Sequence, residues 1–251
     1  MLIETFLGTR WYDFTKGKAQ APGVDTQQVV LPLIELFNHH WQSFGFQSLN
    51  RDKEWAPCVS VVNAKPVPGS DECFVLYNLF DALDAYLLYD FVDESTCVVR
   101  SVPLRLPVFD GYEIEVLAGI YMPRKRSDLP DQLRDLQIYL PKPLEKTGKY
   151  LRVSNLLIPD FRAPLALRRV LAFLVQHMVR KITPQRLESL VLEMEHAVIT
   201  KNVEFYRGLR SSIDSLSASG TPAAGEPQLA RLIEFQLAKL NAYADRHQLA
   251  I

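Results

Sequence analysis

Three polar endings stand out where chemistry could gather. The apolar run Val29-Val30-Leu31-Pro32-Leu33-Ile34-Glu35-Leu36-Phe37 leads directly into Asn38-His39. A second run, Cys73-Phe74-Val75-Leu76, ends the same way in Tyr77-Asn78, and a third segment closes on Tyr89-Asp90-Phe91-Val92-Asp93. An amide and an imidazole donate and accept several hydrogen bonds between them, and a phenol does both from a rigid ring. Structural roles are open to the same residues. Asn38-His39 can be a turn whose side chains satisfy backbone groups, and Tyr77 and Tyr89 can be buried aromatics whose hydroxyls reach the main chain. The pair His39-His40 suggests a metal, but no spaced carboxylate or third histidine accompanies it, so no metal site is expected.

The elements that must position these groups follow from the hydrophobic pattern. Residues 1–14 carry Leu2, Ile3, Phe6, Leu7, Trp11 and Phe14 and read as a short helix running into a strand. Residues 17–28 are polar, contain the turn signal Pro22-Gly23, and read as a loop. After the aromatic-rich stretch of Trp41, Phe44, Phe46 and Trp55, residues 58–62 and 73–76 read as strands with a turn before the second. Leu79, Leu83, Tyr86 and Leu87 recur at helical spacing. From residue 95 the character changes: residues 98–108 and 112–121 alternate around Asp110-Gly111, which predicts a β-hairpin. Arg124-Lys125-Arg126 reads as a solvated loop. Beyond Pro164, the apolar face Leu165, Leu167, Val170, Leu171, Leu174, Val175, Met178 predicts a helix. Thr183 as cap and Pro184 in the first turn open a second helix, reaching Tyr206 or beyond. Residues 215–227, rich in Ser, Gly, Ala and Pro, read as a flexible loop, and residues 228–248 as a last amphipathic helix. The chain therefore divides into residues 1–94 and residues 95–251.

Taken in order, these endings resemble the C-terminal half of a SET domain of the Rubisco large-subunit methyltransferase type. That family reads V-P-hydrophobic-x-D/E-hydrophobic-hydrophobic-N-H-S, then Y-G/D, then, after a helix, Y-G-F-V. Leu31 to His40, Tyr77-Asn78 and Tyr89-Asp90-Phe91-Val92 stand at those places. The resemblance spans roughly residues 5–93, and the helical tail resembles the substrate-binding lobe that follows. It implies an α+β fold: the C-terminal half of a β-rich SET domain, threaded in a knot-like arrangement that sets Tyr77 against Asn38-His39, then a mainly helical lobe.

The function so implied is an S-adenosylmethionine-dependent protein-lysine N-methyltransferase with a protein substrate. By the resemblance, Tyr77 orients the lysine amine, Asn38 and His39 hold the cofactor adenine, and Tyr89 shapes the cofactor pocket. Arg10, from Thr9-Arg10, approaches the cofactor carboxylate. The sequence departs from the family at Asn78, at His40 in place of a small serine, and at Asp90 in place of the Y-G-F glycine. The family's Gly-x-Gly motif occurs nowhere in the chain. It belongs to the family's N-terminal half, which the resemblance does not cover. The alternative is a non-catalytic, SET-derived protein-interaction module. An unrelated α+β protein would need three ordered motifs to coincide by chance.

Whole-chain properties bound these readings. A length of 251 residues, 48% hydrophobic and 23% charged, is ordinary for a soluble globular protein. The net charge of −1 argues against a broad basic surface for nucleic acid. No apolar run approaches a bilayer span, and the start Met1-Leu2-Ile3-Glu4-Thr5 lacks the basic residues of a signal peptide. Cys58, Cys73 and Cys97, widely spaced, read as buried thiols of a reducing compartment. The expected setting is the cytoplasm, with a protein partner and neither membrane nor nucleic acid.

Overall fold

A computed structural model describes residues 11–15, 26–30, 37–41, 43, 47–49, 58–60, 74–118, 129, 131–179, 181–218 and 225–251. Over residues 11–15, 26–30, 47–49 and 58–60 the description is of the backbone. Helices and several small sheets make the fold α+β. The chain divides into two compact units, one of Met1–Leu79 with Ala85–Thr96, the other of Phe80–Asp84 with Cys97–Ile251.

In the first unit the strands pair in twos. Strand β1 (Trp11–Thr15) runs antiparallel to β2 (Thr26–Val30), with Trp11 opposite Val30. Strand β2 thus begins within the stretch expected to be loop, because Thr26, Gln27 and Gln28 use their backbones for the ladder whatever their side chains. Strand β3 (Asn38–His39) lies parallel to β6 (Phe74–Val75), with Asn38 opposite Phe74 and His39 opposite Val75. Between them in sequence, β4 (Gln47–Leu49) pairs antiparallel with β5 (Cys58–Ser60).

Helix α1 (Ala82–Tyr89) starts in the second unit and ends in the first. Asp81 caps it: its Oδ1 accepts the Asp84 N–H at 2.8 Å, so the helix starts less than one turn after the Leu79 that apolar spacing suggests. At its other end Asp90 adopts φ +60°, and its N–H still reaches the Tyr86 carbonyl at 2.9 Å. The left-handed turn at that position is one that glycine adopts freely. Aspartate is among the few other residues that visit it.

The second unit combines sheet and helices. Strand β7 (Val98–Arg100) pairs antiparallel with the later β12 (Leu157–Pro159). The expected hairpin is present but shorter in its first arm: β8 (Leu104–Pro107) and β9 (Glu113–Leu117) are its strands, while residues 98–100 leave for the other sheet. Its turn has φ +49° at Asp110 and +74° at Gly111, closed by the Tyr112 N–H on the Phe109 carbonyl at 2.8 Å. Two successive positive φ values are the demand of a tight two-residue hairpin turn, which Asp-Gly meets. Strands β10 (Lys142–Thr147) and β11 (Tyr150–Ser154) complete a four-stranded sheet in the order β10-β11-β9-β8, with β11 and β9 parallel. The edge strand β10 is exposed throughout, carries Lys142, Pro143 and Lys146, and has an irregular register between Pro143 and Glu145. Such features protect an edge from further pairing and erase the alternation by which a strand is read.

Helices α2 (Ala166–Met178), α3 (Pro184–Ala218) and α4 (Glu226–His247) pack α2 on α3 and α3 on α4. They also cover strands β12, β8 and β7 respectively. The apolar face expected of α2 is buried except for Leu165, which precedes the helix and is 54% exposed. Thr183 Oγ1 accepts the Arg186 N–H at 3.3 Å at the start of α3. That helix runs past the expected loop boundary at 215. Ser211, Ser212, Ser215 and Ser217 each donate a hydroxyl to a carbonyl four residues back, so the serine-rich end stays helical. Of the described residues of that loop, Ser215 to Ala218 are therefore helix, Gly225 is a turn, and Glu226 and Pro227 already open α4. Among the described residues no helix is long and apolar enough to cross a membrane.

Candidate functional site

The three polar endings meet within the first unit. The parallel pairing of β3 with β6 places the residues that follow Val75 beside the residues around His39. Tyr77 then makes two bonds to that segment: its N–H donates to His39 Nδ1 at 3.0 Å, and its hydroxyl donates to the Phe37 carbonyl at 2.5 Å. The His40 N–H donates to the Val75 carbonyl at 3.1 Å, extending the pairing by one residue. Asn38 projects from the same strand to the exposed side, while His39 is buried. Alternation along an extended strand separates the two neighbours to opposite faces.

The third ending closes the group. The rings of Tyr77 and Tyr89 lie 5.2 Å apart between centroids, Tyr89 and Phe91 6.2 Å, and His39 and Phe91 6.2 Å. The tilted arrangements suit ring quadrupoles. Burial, and then the neighbouring Tyr77, push the Tyr89 phenol above its ordinary pKa, so it stays un-ionised and keeps its proton to donate. Arg10 lies outside the described residues.

Behind His39 lies an acidic residue that the motif reading did not single out. His39 Nε2 is 3.2 Å from Asp93 Oδ2, with the two side chains 0% and 5% exposed. Asp93 Oδ1 accepts the Ser95 N–H at 2.9 Å and the Ser95 hydroxyl at 2.5 Å. The Ser95 Oγ in turn accepts the Trp41 N–H at 2.9 Å. Burial pushes the Asp93 carboxyl up, but the hydrogen bonds from His39 and Ser95 outweigh it, and its pKa lies below the ordinary value. Asp93 is therefore an ionised, acceptor-only group at neutral pH. The available signal was the spacing Asp93-x-Ser95, the pattern of an aspartate that turns back on the backbone two residues on. Burial of His40 lowers its pKa, and its ring contacts Phe74 at 5.3 Å between centroids.

The second unit has polar clusters of its own. Asp81, 1% exposed, accepts from the Arg100 N–H at 2.8 Å and from Gln236 Nε2 at 2.9 Å, and Asp84 pairs with the Arg100 guanidinium. Burial first, and the neighbouring Asp81 second, raise the Asp84 pKa to about 7. Glu195, fully buried, receives Arg168 Nε at 2.8 and 2.9 Å and the Tyr243 hydroxyl at 2.5 Å. A cavity of about 610 Å³ is lined in part by Leu83, Arg100, Ser101, Lys201, Glu204 and Phe205. Its charges are matched within the unit, Lys201 to Glu204 and Arg100 to Asp84. Cys97 is buried, and burial raises its thiol pKa to about 11, far from a reactive thiolate.

No protein-family model, curated protein or solved structure matches the chain.

Proposed function

We propose that the chain carries part of an S-adenosylmethionine-dependent protein-lysine N-methyltransferase of the SET type. The observation that carries this reading is the junction of Tyr77 with the Phe37–His39 segment, made by the parallel β3–β6 pairing and flanked by the Tyr89 ring. When bound, the cofactor supplies a methyl group on a positively charged sulfur, open to displacement by a neutral amine. The residues present fit such a group in their chemistry: aromatic faces at Tyr77 and Tyr89 favour a cation, and the exposed Asn38 side chain offers an amide to an adenine edge. The positive φ at Asp90 also supports the reading, because it puts the family's glycine conformation at the family's glycine position.

In this reading the chain's own groups do three things. The Tyr77 hydroxyl, held by the Phe37 carbonyl, presents oxygen lone pairs that orient an incoming lysine amine. The apolar and aromatic surround strips water from that amine and favours its neutral, nucleophilic form. Strand β3 fixes Asn38 outward and His39 inward, so binding and scaffolding are divided between neighbours.

A second reading, a SET-derived module that binds a protein partner without catalysis, is favoured by a different observation. Both ring nitrogens of His39 face groups of the chain itself, and the Tyr77 hydroxyl is already donated to the backbone. Calorimetric titration with S-adenosylmethionine separates the two, run alongside transfer of labelled methyl to lysine-bearing proteins. Saturable heat and labelled lysine are expected from an enzyme. Absence of both, with the fold intact, would leave the interaction module standing.

A further inference from the structure

We infer that Asp93, held by Ser95, fixes the tautomer of His39 and thereby makes His39 Nδ1 the acceptor that positions Tyr77. Asp93 and His39 are then positioning residues that act through the Tyr77 backbone. That Tyr77 has a catalytic task rests on the methyl-transfer reading; the tautomer and the positioning do not.

The argument is one of donors and acceptors. Ser95 brings two donors, its N–H and its hydroxyl, to the same carboxylate oxygen, Asp93 Oδ1. The hydroxyl is held in that direction because its oxygen accepts the Trp41 N–H. Asp93 is thus fixed in rotation, and its other oxygen, Oδ2, faces His39 Nε2 at 3.2 Å. A carboxylate offers only lone pairs, so Nε2 carries the ring proton. Nδ1 is left with a lone pair, and the Tyr77 N–H points at it at 3.0 Å. From Trp41 to Tyr77 each donor of the relay faces an acceptor, and Asp93 Oδ1 takes two of them. The relay ties together residues 38 to 54 positions apart in sequence.

The same logic predicts an unusual response to a nearly isosteric change. In Asp93→Asn the amide must turn its oxygen to the two donors of Ser95, which leaves its NH₂ facing His39. Nε2 must then accept, the ring proton moves to Nδ1, and that proton confronts the Tyr77 N–H. Two donors meet and the hydrogen bond is lost. A carboxylate that served as mere filler would show none of this, since Asn has almost the same shape.

Long-range ¹H–¹⁵N correlation spectra of the full chain report the His39 tautomer, and amide hydrogen exchange reports the Tyr77 N–H. The Nε2–H form and a protected Tyr77 amide are expected in the parent. In Asp93→Asn, the Nδ1–H form is expected, with Tyr77 exchange faster by about tenfold, the equivalent of one lost hydrogen bond. An Nδ1–H tautomer in the parent overturns the inference even if the variant does not fold. So does a variant with unchanged tautomer and unchanged Tyr77 protection. Methyl transfer, measured in parallel, keeps the two claims apart. A parent inactive but carrying the Nε2–H form rejects the enzymatic reading alone. A variant with switched tautomer and an undiminished turnover rate rejects the positioning role.

Discussion

The backbone N–H of Tyr77 donates to Nδ1 of His39 at 3.0 Å, across 38 positions of sequence. The bond makes the imidazole part of the scaffold under the phenol, and it leaves Asn38, one residue earlier, on the opposite and exposed face. Under the proposed methyl-transfer reading, structural and ligand-binding duties fall on different residues of one dipeptide, and mutation can separate the two.

Tyr77→Phe keeps the ring packed on Tyr89 and removes only the hydroxyl. Losing a positioned polar group at a reacting centre lowers a rate by ~10²- to 10⁴-fold, so under the proposed function methyl transfer is expected to fall by that order while cofactor affinity changes little. Stability should drop by about 1 kcal/mol, because the Phe37 carbonyl loses its donor. Asn38→Ala is the contrasting arm, expected under the same reading to weaken cofactor binding. Single-turnover assays and calorimetry on both variants check the pair, and full methylation by Tyr77→Phe would reject the assigned role.

Asp90, exposed and at φ +60°, should tolerate glycine and reject a branched residue. Asp90→Gly is expected to leave stability within about 1 kcal/mol of the parent, the gain in backbone freedom offsetting its entropy cost. Asp90→Val should cost roughly 1–2 kcal/mol through its left-handed conformation. Urea midpoints of the two variants decide the matter; equal tolerance of Gly and Val would contradict the local geometry.

Asp84 gives stability an inverted pH dependence in one window. Its pKa is raised from 3.8 to about 7 in the folded state, so between those values the folded chain holds a proton that the unfolded chain has lost. Stability from this group therefore falls as pH rises through that window. Asp84→Asn cannot ionise and escapes the loss. Between pH 5 and pH 8 it should gain roughly 1–3 kcal/mol relative to the parent, at about 1.4 kcal/mol per pKa unit. Parallel pH profiles in denaturant unfolding would show that Asp84 titrates normally.

Glu195 holds together three helices by charge. It sits on α3 and receives Arg168 of α2 and Tyr243 of α4, with no exposure of its own. Removing one partner of a buried pair typically costs ~3–5 kcal/mol, and Glu195→Ala should lie there. Tyr243→Phe alone should cost about 1–2 kcal/mol. Because the residues touch, the double variant should be clearly non-additive. Thermal or urea unfolding of the cycle measures the coupling, and simple additivity would remove Glu195 from the role.

Several parts of this architecture were legible from the chain. Asp110-Gly111 announces its turn because few residue pairs accept two positive φ values in succession. Thr183-Pro184 announces a helix start because one side chain caps and the other lacks an N–H that would go unused. The buried stripe of α2 is written in the spacing of Leu167, Val170, Leu171, Leu174, Val175 and Met178. Strand β10 was not legible, since an edge strand exposed on both faces carries no alternation, and the serine-rich end of α3 was masked by residues that more often favour loops.

The sequence by itself determined the local endings: which apolar runs exist, and that Asn38-His39, Tyr77 and Tyr89 terminate them. The α+β class was expected from the resemblance that those endings carry. Only the tertiary structure decided which ends meet. The β3–β6 pairing is between strands of two residues each, too short for any pattern to name the partner. Asp93 and Ser95 acquire their meaning solely from being folded back beneath His39. Hydrogen-bond direction, and with it the tautomer of a ring, is a property of neighbours in space, and the order of residues along a chain does not carry it.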